Sequence, residues 1–140
     1  MWLIFDILRQ FRERRIMAST QATGRKGEDI AHRFLKKNGF HILTRRFRLA
    51  DGSGEIDIIA RDGDIIVFVE VKTRLTSSFG GPERALGHEK ERNLVRAARS
   101  YLLKMGAEWS QARFDIVTVV MANPPVISHY RDAFFPGRAV

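Results

Sequence analysis

The chain has no cysteine among its 140 residues. That excludes a disulfide scaffold, a thiolate zinc site and a cysteine nucleophile, and it fits a reducing cytoplasm. Long apolar runs are missing too, and none approaches the ~20 residues that a bilayer-spanning helix needs. The opening Met1-Trp2-Leu3-Ile4-Phe5 lacks the pattern of a signal peptide. Asp6 and Arg9 interrupt it, its positive charges follow rather than precede it, and no small-residue cleavage site is correctly placed. There is no Walker loop, no dinucleotide-binding glycine pattern and no Ser/His/Asp arrangement; Gly80-Gly81 lacks the lysine and serine that complete a phosphate loop. His32, His41, His88 and His129 show no metal-ligand spacing. Acidic residues are in deficit, 16 against 24 Lys+Arg, which gives a net charge of +8 and a pI near 10.6. That balance points to nucleic acid or an anionic membrane surface as the partner.

What is present is ordinary globular material, with a hydrophobic fraction of 44%. A single domain is expected over residues 18–140. Residues 1–17 read as an amphipathic basic extension, in which Ile4, Leu8 and Phe11 share a helical face and Arg12, Arg14 and Arg15 follow. The spacing predicts a helix over 28–38, with Ala31, Phe34 and Leu35 inward and Gly39 as its stop. A strand over 40–49 ends in the basic residues Arg45, Arg46 and Arg48. Two apolar strands, 56–61 and 65–71, are joined at Asp62-Gly63. A Gly/Ser-rich loop covers 73–82 and is expected to close over a substrate. A long helix over 82–105 carries Leu94, Ala97, Ala98, Tyr101, Leu102 and Met105 on one side, and Lys90, Arg92, Arg96, Arg99 and Lys104 on the other. A strand over 112–121 and a short one over 126–130 close the chain. The order predicts an α/β fold with an αβββαβ core and a mixed central sheet flanked by helices on both faces.

The hairpin carries the chemistry. A two-residue Asp62-Gly63 loop sets Asp57 opposite Phe68 and Glu55 opposite Glu70. One face then carries Ile56, Ile58, Ala60, Ile65, Val67, Val69 and Val71. The other ends in Asp57, Glu55, Glu70 and Lys72. Carboxylates crowded in this way raise one another's pKa unless a cation neutralises them, and Lys72 alone does not balance three. Mg²⁺ suits the deficit, because it takes one or two carboxylates together with waters and substrate phosphate oxygens. The carbonyl of Val71 is a further candidate ligand. Such an ion polarises a phosphoryl oxygen and lowers the pKa of a bound water, while Lys72 orients that water or stabilises charge on the phosphate. The plain alternative is an ion-pair ladder of Glu70 and Lys72 on the strand surface, which stabilises weakly.

Asp57 with Glu70-Val71-Lys72, within this order of elements, resembles the PD-(D/E)XK nuclease superfamily. More closely, the chain is similar to the YraN-type family of bacterial proteins. The stretches that carry this resemblance are Gly24-Arg25-Lys26-Gly27-Glu28, Gly54-Glu55-Ile56-Asp57-Ile58-Ile59-Ala60-Arg61, Val67-Phe68-Val69-Glu70-Val71-Lys72-Thr73-Arg74, Phe79-Gly80, Lys90, Ala97-Ala98, Tyr101-Leu102 and Arg113-Phe114-Asp115. The resemblance implies a restriction-endonuclease-like fold, Asp57 and Glu70 as metal ligands, Lys72 as an aid to hydrolysis, and Glu28 reaching in from the first helix. Glu28 has a second explanation, as an acid complementing a helix N-terminus.

The expected function is a Mg²⁺- or Mn²⁺-dependent endonuclease acting on DNA, with a preference for certain structures. Its catalytic residues are Asp57, Glu70, Lys72 and Glu28, with Glu55 and Lys90 as accessories. Arg45, Arg46, Arg48, Arg74, Arg92, Arg96 and Arg99 supply phosphate contacts, the alternative for each being a solvated basic face. A homodimer would suit cleavage of two strands. The competing readings are a non-catalytic nucleic-acid-binding module on the same fold, and an adaptor tethered through residues 1–17.

Overall fold

A computed structural model describes residues 21–75 and 88–134. The extension at 1–17 and most of the 73–82 loop lie outside the described residues. The elements are α1 (Gln21–Lys37), β1 (His41–Arg48), β2 (Glu55–Asp62), β3 (Ile65–Arg74), α2 (His88–Met105), β4 (Ala112–Val120) and β5 (Val126–Phe134). The five strands lie in the spatial order β1-β2-β3-β4-β5. All neighbours are antiparallel except β3 and β4, which are parallel and connected through α2. This is the expected mixed α/β sheet. The final strand runs on to Phe134, well past the short 126–130 segment expected.

The sheet separates two apolar clusters. On one face Ala31 and Leu35 of α1 pack on Ile58, Ala60, Val67, Val69, Val71, Val117 and Val119. On the other, Leu94, Val95, Ala97, Ala98, Tyr101 and Leu102 of α2 pack on Ile56, Ile59, Phe68, Phe114 and Ile116. Strands covered on both sides should be apolar throughout, and β3 and β4 largely are. Met105, expected on the inward stripe of α2, is 55% exposed. It is the last residue of the helix.

Helix α1 begins seven residues before its expected start at residue 28, passing through Gly24 and Gly27. Glycine weakens a helix by roughly 0.5–1 kcal/mol against alanine. At Gly27 the missing side chain is what lets the helix approach the sheet, because a Cβ there would overlap the Thr73 side chain. Packing overrides propensity at this point.

The β2–β3 hairpin differs from expectation by two residues. Asp62 pairs with Ile65, so the loop is Gly63-Asp64. Gly63 takes φ +61° at the first loop position, which only glycine adopts freely. A shift of two preserves side-chain faces and changes partners. The ladder ends at Ile58–Val69. Its continuation sets Asp57 across from Glu70, not Phe68.

One face assignment also changes. Ile56 packs against α2, whereas Ile58, two residues on, packs against α1. The same reversal occurs across the strand boundary. Arg45 reaches α1, and Phe47 meets Tyr101 of α2 with ring centroids 5.3 Å apart. Arg46 lies between them at φ +53°. One residue in the left-handed region breaks the alternation of β1, and β2 follows it at Asp57.

Candidate metal and nucleic-acid site

Asp57 sits where β2 parts from β3. Its Oδ2 accepts a hydrogen bond from the backbone N–H of Val71 at 2.8 Å. A side chain here satisfies a strand N–H beyond the last residue pair of the ladder. Glu70 is 5% exposed and lies beside Asp57. Its Oε2 receives Lys72 Nζ at 3.2 Å and Lys90 Nζ at 3.8 Å. Its Oε1 is buried without a hydrogen-bond partner.

The two carboxylates titrate as a pair. Burial, then the charge of Glu70, raises Asp57 well above the ordinary carboxylate range, and the Val71 N–H offsets only part of this. Burial pushes Glu70 up as well, but Lys72 and then Lys90 outweigh it and hold Glu70 below its usual value. Of the two, Asp57 is the harder to ionise and Glu70 the easier.

The expected acidic trio is therefore a pair. Glu55 turns away and is bound by Arg48 at 2.9 Å. It lines a separate cavity of about 160 Å³ with Ser53, Lys90 and Asn93. Two ammonium groups, not one, face the two remaining carboxylates. Lys90 thus joins Glu70, while Glu55 does not.

Glu28 lies in the second turn of α1 and not at its N-terminus, so the helix-dipole explanation does not hold. Its charge reaches Asp57 and contributes to the raised pKa there. Its carboxylate, however, is tied to Arg45 Nη2 at 3.3 Å and Arg46 Nε at 3.0 Å. Arg45 also holds Asp29 at 2.9 Å. Among the described residues no three His, Cys, Asp or Glu side chains converge as a metal site. Two carboxylates with an unpartnered buried oxygen still fit a cation that draws its remaining ligands from water and phosphate.

The expected basic surface is divided. Arg45 and Arg46 gather at α1. Arg92, Arg96 and Arg99 stand exposed on α2, on the opposite face of the sheet. Arg48 is exposed at the β1–β2 turn. Arg74 is only 4% exposed and belongs to no surface, because β3 continues through it beside β4.

A further cluster had no expected role. Asp115 accepts from Arg113 Nε at 2.8 Å and from the Asp132 N–H at 3.0 Å, and it contacts His129 Nε2 at 2.8 Å. It fills the irregularity where the β4–β5 register shifts. Burial pushes Asp115 up, but His129, Arg113 and the Asp132 N–H together bring it below the usual range. The signal in the sequence was Arg113 and Asp115 two apart on one strand, hence on one face.

Residues 27–119 match the model of the uncharacterised protein family UPF0102. A UPF0102 protein of Solibacter usitatus (strain Ellin6076) is 45% identical over 111 residues, covering 79% of this chain and 84% of its own. One from Rhodococcus jostii (strain RHA1) is 42% identical over 120 residues, covering 84% of this chain and 100% of its own. One from Persephonella marina (strain DSM 14350 / EX-H1) is 42% identical over 111 residues, covering 79% and 91%. The matched span includes Glu28, Asp57, Glu70 and Lys72.

Proposed function

The chain belongs to the UPF0102 family, and from that premise we propose that it is a metal-dependent phosphodiesterase of the PD-(D/E)XK class acting on DNA. The observation that carries this reading is the Asp57–Glu70 pair, Glu70 buried and Asp57 half-buried, with Glu70 Oε1 unpartnered and Lys72 beside it. A protein gains little stability from a buried, incompletely hydrogen-bonded carboxylate set beside a second one. Such an arrangement is expected where a cation is taken up.

Asp57, Glu70 and the carbonyl of Val71 would hold Mg²⁺ or Mn²⁺. When bound, that ion supplies a Lewis acid for the scissile phosphate and a water of lowered pKa. The chain's own groups do the remainder. Asp57, oriented by the Val71 N–H, would offer a carboxylate oxygen to the ion. Glu70 fixes Lys72, whose ammonium is a compact donor for the attacking water or for a non-bridging phosphate oxygen. Lys90, also drawn to Glu70 Oε2, adds a second cation at the edge of the site.

The test is cleavage of branched, flapped and linear DNA with Mg²⁺ or Mn²⁺. Cleavage should fall at least about a hundredfold in Asp57→Ala, Glu70→Ala and Lys72→Ala, the loss expected when one preorganised charged group goes. Undiminished cleavage in these variants would place the chemistry elsewhere. One observation favours a second reading, a binding module without catalysis: Glu28 is held by arginines, and among the described residues no third carboxylate joins the pair. That reading gains if DNA binds with steep salt dependence but is never cut.

A further inference from the structure

Glu28 follows Gly27, which packs on Thr73 one residue beyond Lys72, and its two arginine partners stand on β1 across from Ile58 and Asp57, yet its carboxylate is engaged with them rather than with the pair. Both of its partners are arginines, donating to the same oxygen, Oε1. Guanidinium binds phosphate as readily as carboxylate, and by the same fork of donors. Arg46 is presented from a left-handed backbone position, an unusual conformation for a residue other than glycine. Arg45 Nε is buried and lacks a hydrogen-bond partner. The pair therefore has donor capacity that Glu28 does not saturate.

Resting on the metal-site reading above, we propose that Arg45 and Arg46 are positioning residues with a replaceable carboxylate: a backbone phosphate of the nucleic acid takes the place of Glu28, and the released carboxylate turns to the Asp57–Glu70 pair. Released, Glu28 is a third carboxylate beside Asp57 and Glu70. A divalent cation then becomes more favourable there than in the free protein. Phosphate binding and cation binding thus reinforce each other, and the coupling must be the same from either side. In the absence of nucleic acid the site holds its cation weakly, because its third carboxylate is neutralised by the two arginines.

The experiment is calorimetric titration of the full chain with Mn²⁺, with and without a phosphorothioate DNA duplex that resists hydrolysis. Each arm is repeated as duplex titration with and without Mn²⁺. The wild-type protein should bind Mn²⁺ about tenfold more tightly with the duplex, and the duplex more tightly with Mn²⁺ by the same factor. In Glu28→Gln the factor should fall to one. In the Arg45→Gln/Arg46→Gln variant, Mn²⁺ alone should already bind more tightly than to wild type, and the duplex should add nothing. Lys37→Gln removes an exposed cation at the far end of α1, and should keep the factor, which separates the effect from net charge and from Mn²⁺ held by the duplex itself. Binding of Mn²⁺ to wild type with a factor of one overturns the exchange and leaves the metal site standing. A factor that persists in Glu28→Gln also overturns it. No Mn²⁺ binding in either arm overturns both.

Discussion

Burial raises the pKa of any carboxylate, so the difference between Asp57 and Asp115 lies in what surrounds each. Asp115 meets an arginine, a histidine and a backbone N–H, and is held ionised. It is a structural anion, completing the irregular β4–β5 pairing. Asp57 has one N–H and a carboxylate neighbour, and is driven toward its protonated form. Its pKa is raised in the folded state, so its stabilising contribution is full below pH ~4, the unfolded value, and fades as pH rises toward the folded value. An asparagine side chain at this position does not titrate, still offers an acceptor to Val71, and offers a donor to Glu70. Without divalent cations, Asp57→Asn should melt near wild type at about pH 4 and several degrees higher at about pH 8. Thermal unfolding across that range decides the matter. A gap that is constant with pH, or that favours the wild type at the alkaline end, would contradict the raised pKa.

Whole strands and helices were legible because periodicity determines which residues face inward, and apolar letters dominate β3, β4 and the inner side of α2. The charged letters of the site stood out for the same reason, in strands that otherwise read as core. Two details escaped. A shift of two in a hairpin leaves every side chain on its face, so the pattern could not distinguish Asp57 opposite Phe68 from Asp57 opposite Glu70. The left-handed turn at Arg46 has no letter that demands it, and it reverses the side to which Phe47 points and, across the strand pair, Ile56. That reversal separates Glu55 from the other acids. The early start of α1 escaped because two glycines read as a loop when one of them is a point of contact. Gly27→Ala tests this contact directly. Its methyl group must displace Thr73, one residue beyond Lys72, and overpacking of this kind costs about 1–3 kcal/mol. Urea unfolding should show that loss, and Mn²⁺ affinity should fall with it as β3 shifts. An unchanged midpoint would mean that α1 does not rest on the sheet at Gly27.

The whole molecule carries a charge of +8, yet its arginines are not on one surface. Those on β1 are at α1 and the β1–β2 turn, and those on α2 face outward from the opposite side of the sheet. A duplex that reaches Arg45 and Arg46 does not need Arg92, Arg96 and Arg99, unless it passes around the end of the sheet where Asp57 and Lys90 lie. The two arrangements differ in salt dependence, because each phosphate neutralised contributes about 0.9 to the slope of log affinity against log salt. If DNA passes around that end, Arg92→Gln/Arg96→Gln/Arg99→Gln should flatten the slope by about 2–3. It should weaken binding at low salt and change little at high salt. We expect this outcome, because Lys90 links the start of α2 to Glu70 and so places the helix beside the site. Fluorescence anisotropy with labelled duplex, from about 50 to 300 mM salt, measures it. An unaltered slope would confine the nucleic acid to the α1 side, with the arginines of α2 serving only as a solvated face.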